Sequence, residues 1–165
     1  MMSKEFYVSL NARISSKKHF SNLIKVINAV VTSYMFVLYP ASCVCFLISD
    51  EYKKLLLSAL LCGSGFLLVS LMRRVFSRKR PYEELSYTPV LKGKKKSDSM
   101  PSRHTFSVFV ISLSSFLVSP WLCFVNLFLA ICLALCRILG GVHYVSDVVA
   151  GALIALAFGA LFLFI

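Results

Sequence analysis

Residues 104–136 read HTFSVFVISLSSFLVSPWLCFVNLFLAICLALC and contain no Asp, Glu, Lys or Arg. As a single helix this stretch would be about 50 Å long at 1.5 Å per residue, whereas a membrane-crossing helix needs roughly 20 residues to span about 30 Å of hydrocarbon. Ser119-Pro120-Trp121 lies near its middle, and proline followed by an interfacial tryptophan suits a turn at the membrane surface. The stretch therefore predicts two short crossings that return the chain to the side on which it began.

The rest of the chain supplies three more crossings. Three other runs without charged side chains each have about the length of one span: residues 26–48, 55–72 and 148–165. The last run carries Gly151, Ala155 and Gly159 at every fourth position, which makes a ridge of small residues for close helix packing. We therefore predict an all-α, polytopic transmembrane helix bundle with about five crossings.

The overall composition leads to the same class. Of 165 residues, 58% are hydrophobic and 15% are charged, and the mean hydropathy is +0.80, which is too apolar for an ordinary soluble domain or a disordered chain. Eighteen Lys and Arg against seven Asp and Glu give a net charge of +11. Because little water-soluble surface is left for a basic patch, no nucleic-acid partner is predicted.

The N-terminal segment, residues 1–25, is part of the single domain predicted over residues 1–165. Phe6, Leu10 and Ile14 share one helical face, which suits a helix lying in the membrane interface; a disordered tail fits the same residues. We do not interpret the first apolar run as a signal peptide, because it follows this polar segment and has no small-x-small cleavage site.

All six cysteines lie in apolar runs, and they form no Cys-x-x-Cys pair. We predict that they are small core residues rather than metal ligands or a disulfide framework.

A central polar loop is predicted over residues 73–105. It opens with RRVFSRKRP at residues 73–81, which places five cations directly after the second crossing. Basic residues often flank membrane spans and extend towards the headgroups, so this run has a structural interpretation as well as an anion-binding one.

The same loop ends with Pro101-Ser102-Arg103-His104 at the start of the third crossing. Proline suits the first turn of a helix, where the Ser102 hydroxyl, the free N–H groups and the helix dipole would converge on an anion. His104 could donate a proton to such a group, or it could be an ordinary interfacial residue.

A third cluster, RILGGVHYVSD at residues 137–147, lies before the last crossing. If the last helix begins near His143, then His143 and Asp147 share a face, and the carboxylate can hold the imidazole in one tautomer with its other nitrogen free to attack. The two glycines would allow Arg137 to turn back towards the same point. A helix cap beside a structural histidine is the alternative.

The predicted topology brings the three clusters together. The first two flank one loop, and two crossings between the second and third return the chain to the same side. Two histidines and at least three arginines would then share one compartment. Cations without matching carboxylates indicate an anionic substrate, and phosphate is the obvious one.

In order along the chain, the clusters resemble the three-part signature of the type 2 phosphatidic acid phosphatase (PAP2) superfamily of membrane lipid phosphatases: Arg73-x6-Arg80-Pro81, Pro101-Ser102-Arg103-His104 and Arg137-x5-His143-x3-Asp147. Two positions depart from the pattern, since the family usually has Lys where Arg73 stands and Gly where Arg103 stands. The family also commonly has six crossings, where we count five.

The resemblance implies a mechanism. His143 would be the nucleophile that forms a phosphohistidine, Asp147 would orient it, and His104 would act as general acid and then base. The phosphate oxygens would be held by the remaining motif residues: Arg73, Arg80, Ser102 and Arg137, with Arg103 either adding a contact or facing water. No metal or other cofactor is expected, because Asp147 is the only carboxylate in the three clusters.

The expected substrate is a lipid phosphate or diphosphate whose chain stays in the membrane, such as a polyprenyl diphosphate, phosphatidic acid or phosphatidylglycerophosphate. The basic run at residues 92–96 could attract such headgroups or be a solvated loop. On the five-span topology sixteen of the eighteen basic residues lie on the side of the site, which predicts a cytoplasmic site, whereas the resemblance implies an external or lumenal one.

Two other functions fit parts of the sequence. A non-catalytic membrane protein that binds anionic lipid would explain the basic loop, but it has no need of two histidines and an aspartate at these spacings. A haloperoxidase using vanadate is chemically conceivable, but such relatives are soluble.

Overall fold

The computed structural model describes residues 4–93 and 98–164, and in this part of the chain the all-α prediction is confirmed. Its helices are, in order, α1 Lys4–Ser16, α2 Lys18–Ile48, α3 Tyr52–Phe76, α4 Pro81–Glu84, α5 Arg103–Ser114, α6 Pro120–Leu139 and α7 Val145–Ala160. Short 3-10 turns follow α5 at Ser115–Leu117 and α7 at Leu161–Phe164.

Three helical segments of the described chain are long and apolar enough to cross a membrane: Lys18–Ile48, Tyr52–Glu84 and Pro120–Leu139. Helices α5 and α7, which lie in the other two predicted crossings, are shorter than these segments, with 12 and 16 residues. The fold is therefore the predicted kind of helix bundle with candidate membrane spans, and the count of five crossings stays a prediction.

The outer surface of the bundle is strongly apolar. Phe36, Ile48, Val75 and Trp121 each expose between 77% and 81% of their surface. Such a surface would favour aggregation in water, whereas it matches the hydrocarbon of a bilayer.

The break predicted at Ser119-Pro120-Trp121 is confirmed. Ser119 has an extended backbone with φ −161° and ψ 134°, and Pro120 is the first residue of α6. Proline is favoured there because its missing N–H would have had no partner within the helix. The charge-free stretch therefore folds as two helices, α5 and α6.

Helix α5 lies at the centre of the bundle. Phe106 and Val110 belong to one core cluster, and Val108 belongs to another. The first cluster joins α5 to α3 and α7 through Cys62, Val69 and Ala155. The second joins it to α2 and α6 through Val31, Met35, Ala130 and Leu133.

The predicted ridge of small residues on α7 faces α5. A Cβ added at Gly151 would lie 2.6 Å from the carbonyl oxygen of Ser102, and one at Gly159 would collide with the Leu113 side chain. Ala155 between them is completely buried. This ridge lets α7 approach the start of α5 closely, and so positions two of the predicted clusters beside each other.

From Lys4 onward, the N-terminal segment is mostly helical and packs on the protein. In α1, Tyr7, Asn11 and Ile14 are buried, whereas Phe6 is 38% exposed. The buried face is thus rotated from the predicted Phe6, Leu10 and Ile14 face. The reason is a specific contact: the hydroxyl of Tyr7 accepts a hydrogen bond from the N–H of Val145 at 3.2 Å.

The cysteines divide into two groups. Cys62, Cys123 and Cys136 are buried, as predicted, whereas Cys45 is exposed and Cys43 and Cys132 are half-buried. The core prediction is therefore wrong for Cys45, because its position on α2 faces outward, where a thiol can contact lipid.

Candidate functional site

A cavity of about 860 Å³ lies on one side of the bundle, lined by residues from the N-terminal parts of α2 and α5 and from the last turns of α3 and α6. Its wall includes five of the predicted site residues: Arg73, Arg80, Arg103, His104 and Arg137. Arg137 and His104 stand at the two ends of the charge-free stretch, so the pairing of α5 with α6 returns them to one place.

Three cations of this cavity are buried: Arg73 has 4% of its surface exposed, and Arg80 and Arg137 have 6% each. Nη1 of Arg80 donates to the carbonyl of Val142 at 3.2 Å, and Nη1 of Arg137 donates to Oδ1 of Asn28 at 3.1 Å. The Nε atom of each of these two guanidinium groups is buried and has no protein partner in the described chain. Buried donors normally have an acceptor, and a phosphate oxygen would supply one.

Arg73 has a role that the sequence did not predict. It lies in the last turn of α3, because this helix continues to Phe76 instead of ending where the apolar run ends. Its guanidinium donates to the carbonyls of Asp98, of Ser99 at 3.2 Å and of Pro101 at 2.8 Å. Arg73 therefore shapes the loop that leads into α5. A lysine has no planar fork of donors for such a set of carbonyls.

Helix α5 begins later than predicted, at Arg103. Ser102 is the N-cap and Pro101 precedes the first turn instead of lying in it. The Ser102 hydroxyl oxygen accepts hydrogen bonds from the Thr105 hydroxyl at 3.0 Å and from the Thr105 N–H at 3.4 Å. Ser102 is completely buried and does not line the cavity, whereas His104, two residues later, does.

His143 and Asp147 are adjacent, although α7 does not begin where the prediction needed it to. Its first residue is Val145, so His143 lies before the helix instead of on its face. Asp147 nevertheless reaches back to accept the N–H of Tyr144 at 3.0 Å, which places Oδ2 at 3.4 Å from Nδ1 of His143. The same oxygen of Asp147 therefore caps the helix and forms the proposed pair with His143.

Ser99 was missed by the sequence analysis. Its hydroxyl donates to Oδ2 of Asp147 and lies 3.4 Å from Nδ1 of His143. A single serine in a polar loop matches no sequence motif that would predict a role in the site. Its only signal is its closeness in the sequence to Pro101 and Ser102.

Burial controls the charge of His143, whose side chain is 1% exposed. The pKa of His143 falls from its ordinary 6.5 to about 4, because desolvation and the nearby Arg137 and Arg80 lower it by more than the Asp147 carboxylate raises it. The imidazole is therefore neutral at pH 7, which is the form that has a lone pair for nucleophilic attack.

Two further residues that were predicted to contact a phosphate or a headgroup, Arg103 and Lys92, line the cavity. Arg103 is half-buried, with its guanidinium carbon 6.0 Å from the ring centroid of Phe66. Lys92 and Lys25 also line the cavity. The rest of the predicted basic run, residues 94–96, lies outside the described residues.

The candidate site is cationic. Within residues 4–93 and 98–164, no group of three or more His, Cys, Asp or Glu side chains is arranged to hold a metal ion. The arrangement can hold an anion against Arg80 and Arg137, with His104 exposed at the cavity. His143 and Asp147 do not line the cavity, but Val142, whose carbonyl Arg80 contacts, directly precedes His143.

Comparison with known families gives a match over most of the chain. The sequence model of the PAP2 superfamily matches residues 51–165. The lipid A 1-phosphatases of Rhizobium etli and Rhizobium johnstonii are each 36% identical to this chain over 101 residues. The aligned part is 58% of this chain but 41% and 39% of those proteins, so this chain spans about two fifths of the length of these relatives.

Solved structures share the fold. The crystal structure of Aquifex aeolicus LpxE matches with a TM-score of 0.74 and 22% identity, over 98% of this chain and 94% of that one. A transmembrane PAP2-type phosphatidylglycerolphosphate phosphatase from Bacillus subtilis matches with a TM-score of 0.52 and 19% identity, over 94% and 90%.

Proposed function

Since the chain belongs to the PAP2 superfamily, we propose that it is a membrane phosphatase that hydrolyses a lipid phosphate or diphosphate through a phosphohistidine. One observation carries the proposal. Arg80 lines the cavity together with His104 and Arg137, and it donates to the carbonyl of Val142, the residue before His143 of the His143–Asp147 pair. Within the described residues, the Nε atoms of Arg80 and Arg137 have no protein partner.

In the first step, Nε2 of His143 attacks phosphorus and the bond from phosphorus to the lipid oxygen breaks. Asp147 accepts a hydrogen bond from Nδ1–H of His143, which keeps the lone pair on Nε2 and stabilises the positive charge that develops on the ring. His104 gives its proton to the departing lipid oxygen, so that the lipid leaves as an alcohol or as a monophosphate.

In the second step, His104 takes a proton from water, and the oxygen of that water attacks the phosphohistidine. The bond from phosphorus to Nε2 breaks and inorganic phosphate is released. His104 is thereby protonated again and His143 is restored, so both histidines are ready for another turnover.

Arg80 and Arg137 stabilise the charge on the non-bridging oxygens in both steps. Preorganised donors in a site shielded from water supply large rate factors in this way. Asp147 is the carboxylate at this site, and its contacts with His143, Ser99 and Tyr144 occupy it. We therefore expect turnover to survive chelation with EDTA and to be inhibited by vanadate; a need for added Mg²⁺ after chelation would contradict this part of the proposal.

The substrate should carry its phosphate at the membrane surface, because the cavity opens beside helices with apolar outer faces. The names of the relatives suggest two members of an assay panel, lipid A with a 1-phosphate and phosphatidylglycerophosphate. The family resemblance adds phosphatidic acid and a polyprenyl diphosphate. Release of inorganic phosphate in detergent from one member of the panel identifies the class.

The decisive variant for the function is His143→Ala, with His19→Ala as the matched control. His19 is exposed on α2 and belongs to none of the three sequence clusters. We expect His143→Ala to release no phosphate while it still binds the lipid, and His19→Ala to behave as the unmodified protein. Full turnover by His143→Ala contradicts the mechanism, and lipid binding without turnover by the unmodified protein favours the non-catalytic alternative.

For the side of the membrane, we infer the cytoplasm from the distribution of charge. In a cysteine-free background, a single cysteine at Lys92, which is exposed beside the cavity, should react with an impermeant maleimide only after cell lysis. Labelling of intact cells would place the site on the external side.

A further inference from the structure

Arg78 contacts the buried carboxylate of Asp147 and is not part of the predicted site. Its Nη1 lies 3.0 Å from Oδ1 of Asp147 and donates to the hydroxyl of Ser146 at 2.7 Å. The side chain of Arg78 is 26% exposed, whereas that of Asp147 is fully buried. The arginine therefore reaches the carboxylate from the surface of the molecule.

It does so from a second cavity. Arg78 lines a space of about 370 Å³ together with Tyr144 and Ser146, and it does not line the large cationic cavity. The two cavities have no lining residue in common. Arg78 is therefore placed to act on Asp147 without touching a phosphate held by Arg80 and Arg137.

The position of Arg78 is fixed by its neighbours. Its guanidinium carbon lies 4.1 Å from the centroid of the Tyr144 ring, a distance at which a cation is attracted to the face of the ring. The Tyr144 hydroxyl donates to Glu84 at 2.8 Å, and Glu84 pairs with Lys4 of α1 at 2.8 Å. These contacts hold the ring and thereby limit where the guanidinium can lie.

The backbone of Arg78 also acts on the pair. Its carbonyl accepts the N–H of Ser99 at 2.7 Å, and the Ser99 side chain in turn donates to Asp147. Arg78 thus reaches the carboxylate through its side chain and through the serine that its backbone positions.

A buried carboxylate needs a cation in contact, because an unpaired charge is expensive away from water. His143 does not supply one at pH 7, since its pKa is about 4. Arg73 and Arg80 stand further off in the same region, with their guanidinium groups bonded to backbone carbonyls. Among the described residues, Arg78 is the guanidinium that forms an ion pair with Asp147.

We propose that Arg78 is a positioning residue for this active site, which keeps Asp147 ionised and oriented to accept the hydrogen bond from Nδ1–H of His143. The inference rests on the proposed function, because it assigns Arg78 a part in that reaction. Its side chain touches Asp147 and neither the substrate nor the reacting atoms.

The test compares Arg78→Gln and Arg78→Lys with Arg74→Gln, a loss of charge at an exposed position of the same basic run. For Arg78→Gln we expect kcat to fall by about 10- to 100-fold, the range for losing a hydrogen bond between charged groups, with KM within twofold of the unmodified value. Arg78→Lys should recover most of kcat, because it restores the charge without the planar fork. Arg74→Gln should leave both constants unchanged.

A second readout separates positioning from simple support of the fold. In protein labelled with ¹⁵N at histidine, with His19 and His104 replaced by Gln, the His143 resonances should show the Nδ1–H tautomer. Arg78→Gln should increase the Nε2–H tautomer, and Arg78→Lys should restore the original signal. If Arg78→Gln does not fold, Arg78→Lys still tests the role: because it lacks the planar fork, it should keep a kcat only a few-fold below the unmodified value, with an unchanged KM.

The outcomes distinguish this inference from the proposed function. An unchanged kcat and tautomer in folded Arg78→Gln, with His143→Ala inactive, overturns the role of Arg78 alone. A raised KM with an unchanged kcat also overturns it, because Arg78 would then bind substrate. Turnover by His143→Ala overturns the proposed function itself.

Discussion

Oδ2 of Asp147 lies 3.4 Å from Nδ1 of His143 because the same oxygen caps α7 by accepting the N–H of Tyr144 at 3.0 Å. The cap fixes the carboxylate in a position from which it can also orient the imidazole. One residue therefore links the start of a helix to the chemistry of the proposed nucleophile.

Asp147→Asn should keep the cap and lose the catalysis. The amide oxygen can still accept the Tyr144 N–H, but an amide does not stabilise the imidazolium and favours the wrong tautomer. We expect kcat to fall by a factor on the order of 10⁴, measured as phosphate release from the lipid that the panel identifies. Asp50→Asn, at an exposed turn, is the control; equal kinetics in the two variants would remove Asp147 from the mechanism.

His143 should take up its proton at unusually low pH. Burial disfavours the charged imidazolium, so the pKa falls from 6.5 to about 4, and the ring should be neutral above about pH 5. The measurement is an NMR titration of His143 in detergent, with His19 and His104 replaced by Gln. Asp147→Asn should lower the midpoint further, since the carboxylate favours the protonated ring. A midpoint at 6.5 or above would contradict the burial of this side chain.

Ser99→Ala should slow turnover without unfolding the protein. The variant removes a hydrogen bond to the buried carboxylate. The free energy of such a hydrogen bond corresponds to roughly a tenfold loss of kcat. Ser70→Ala is a suitable control, because its hydroxyl bonds to the carbonyl of Phe66 within its own helix at 2.7 Å. If Ser99→Ala had the kinetics of Ser70→Ala, the contact would have no part in orienting Asp147.

Gly151→Ala should destabilise the packing of α7 on α5. The new methyl group would lie 2.6 Å from the Ser102 carbonyl oxygen, and overpacking of this kind costs roughly 1–3 kcal/mol. Gly63→Ala is the matched control, since a Cβ there meets nothing within 4 Å. Thermal unfolding in detergent should show a lower midpoint for Gly151→Ala and an unchanged or higher one for Gly63→Ala; the reverse order would contradict the close helix approach.

Much of this arrangement could be predicted from local patterns. The length of the charge-free stretch and the position of Pro120 gave the break between α5 and α6, and that break brings His104 and Arg137 to one cavity. The spacing of Gly151 and Gly159 indicated the ridge that packs on α5. Such features depend on helix geometry, which a sequence displays directly.

The contacts between loops could not be predicted in this way. Arg78 stands in a run of five cations, and nothing in that run distinguishes it from Arg74, although one meets Asp147 and the other is exposed. Ser99 and Tyr7 likewise act on residues far along the chain. These roles arise when distant loops pack together, and no local spacing records them.

Trapping of the phosphoryl group tests the central claim most directly. The purified protein would be mixed with its lipid substrate labelled in the scissile phosphate and quenched in alkali during the first turnover, and the labelled peptide would be mapped by mass spectrometry. We predict label on His143, at the same level in His19→Gln and absent in His143→Gln. A protein that turns over its substrate with no label on His143, or with label on another residue, would contradict the account.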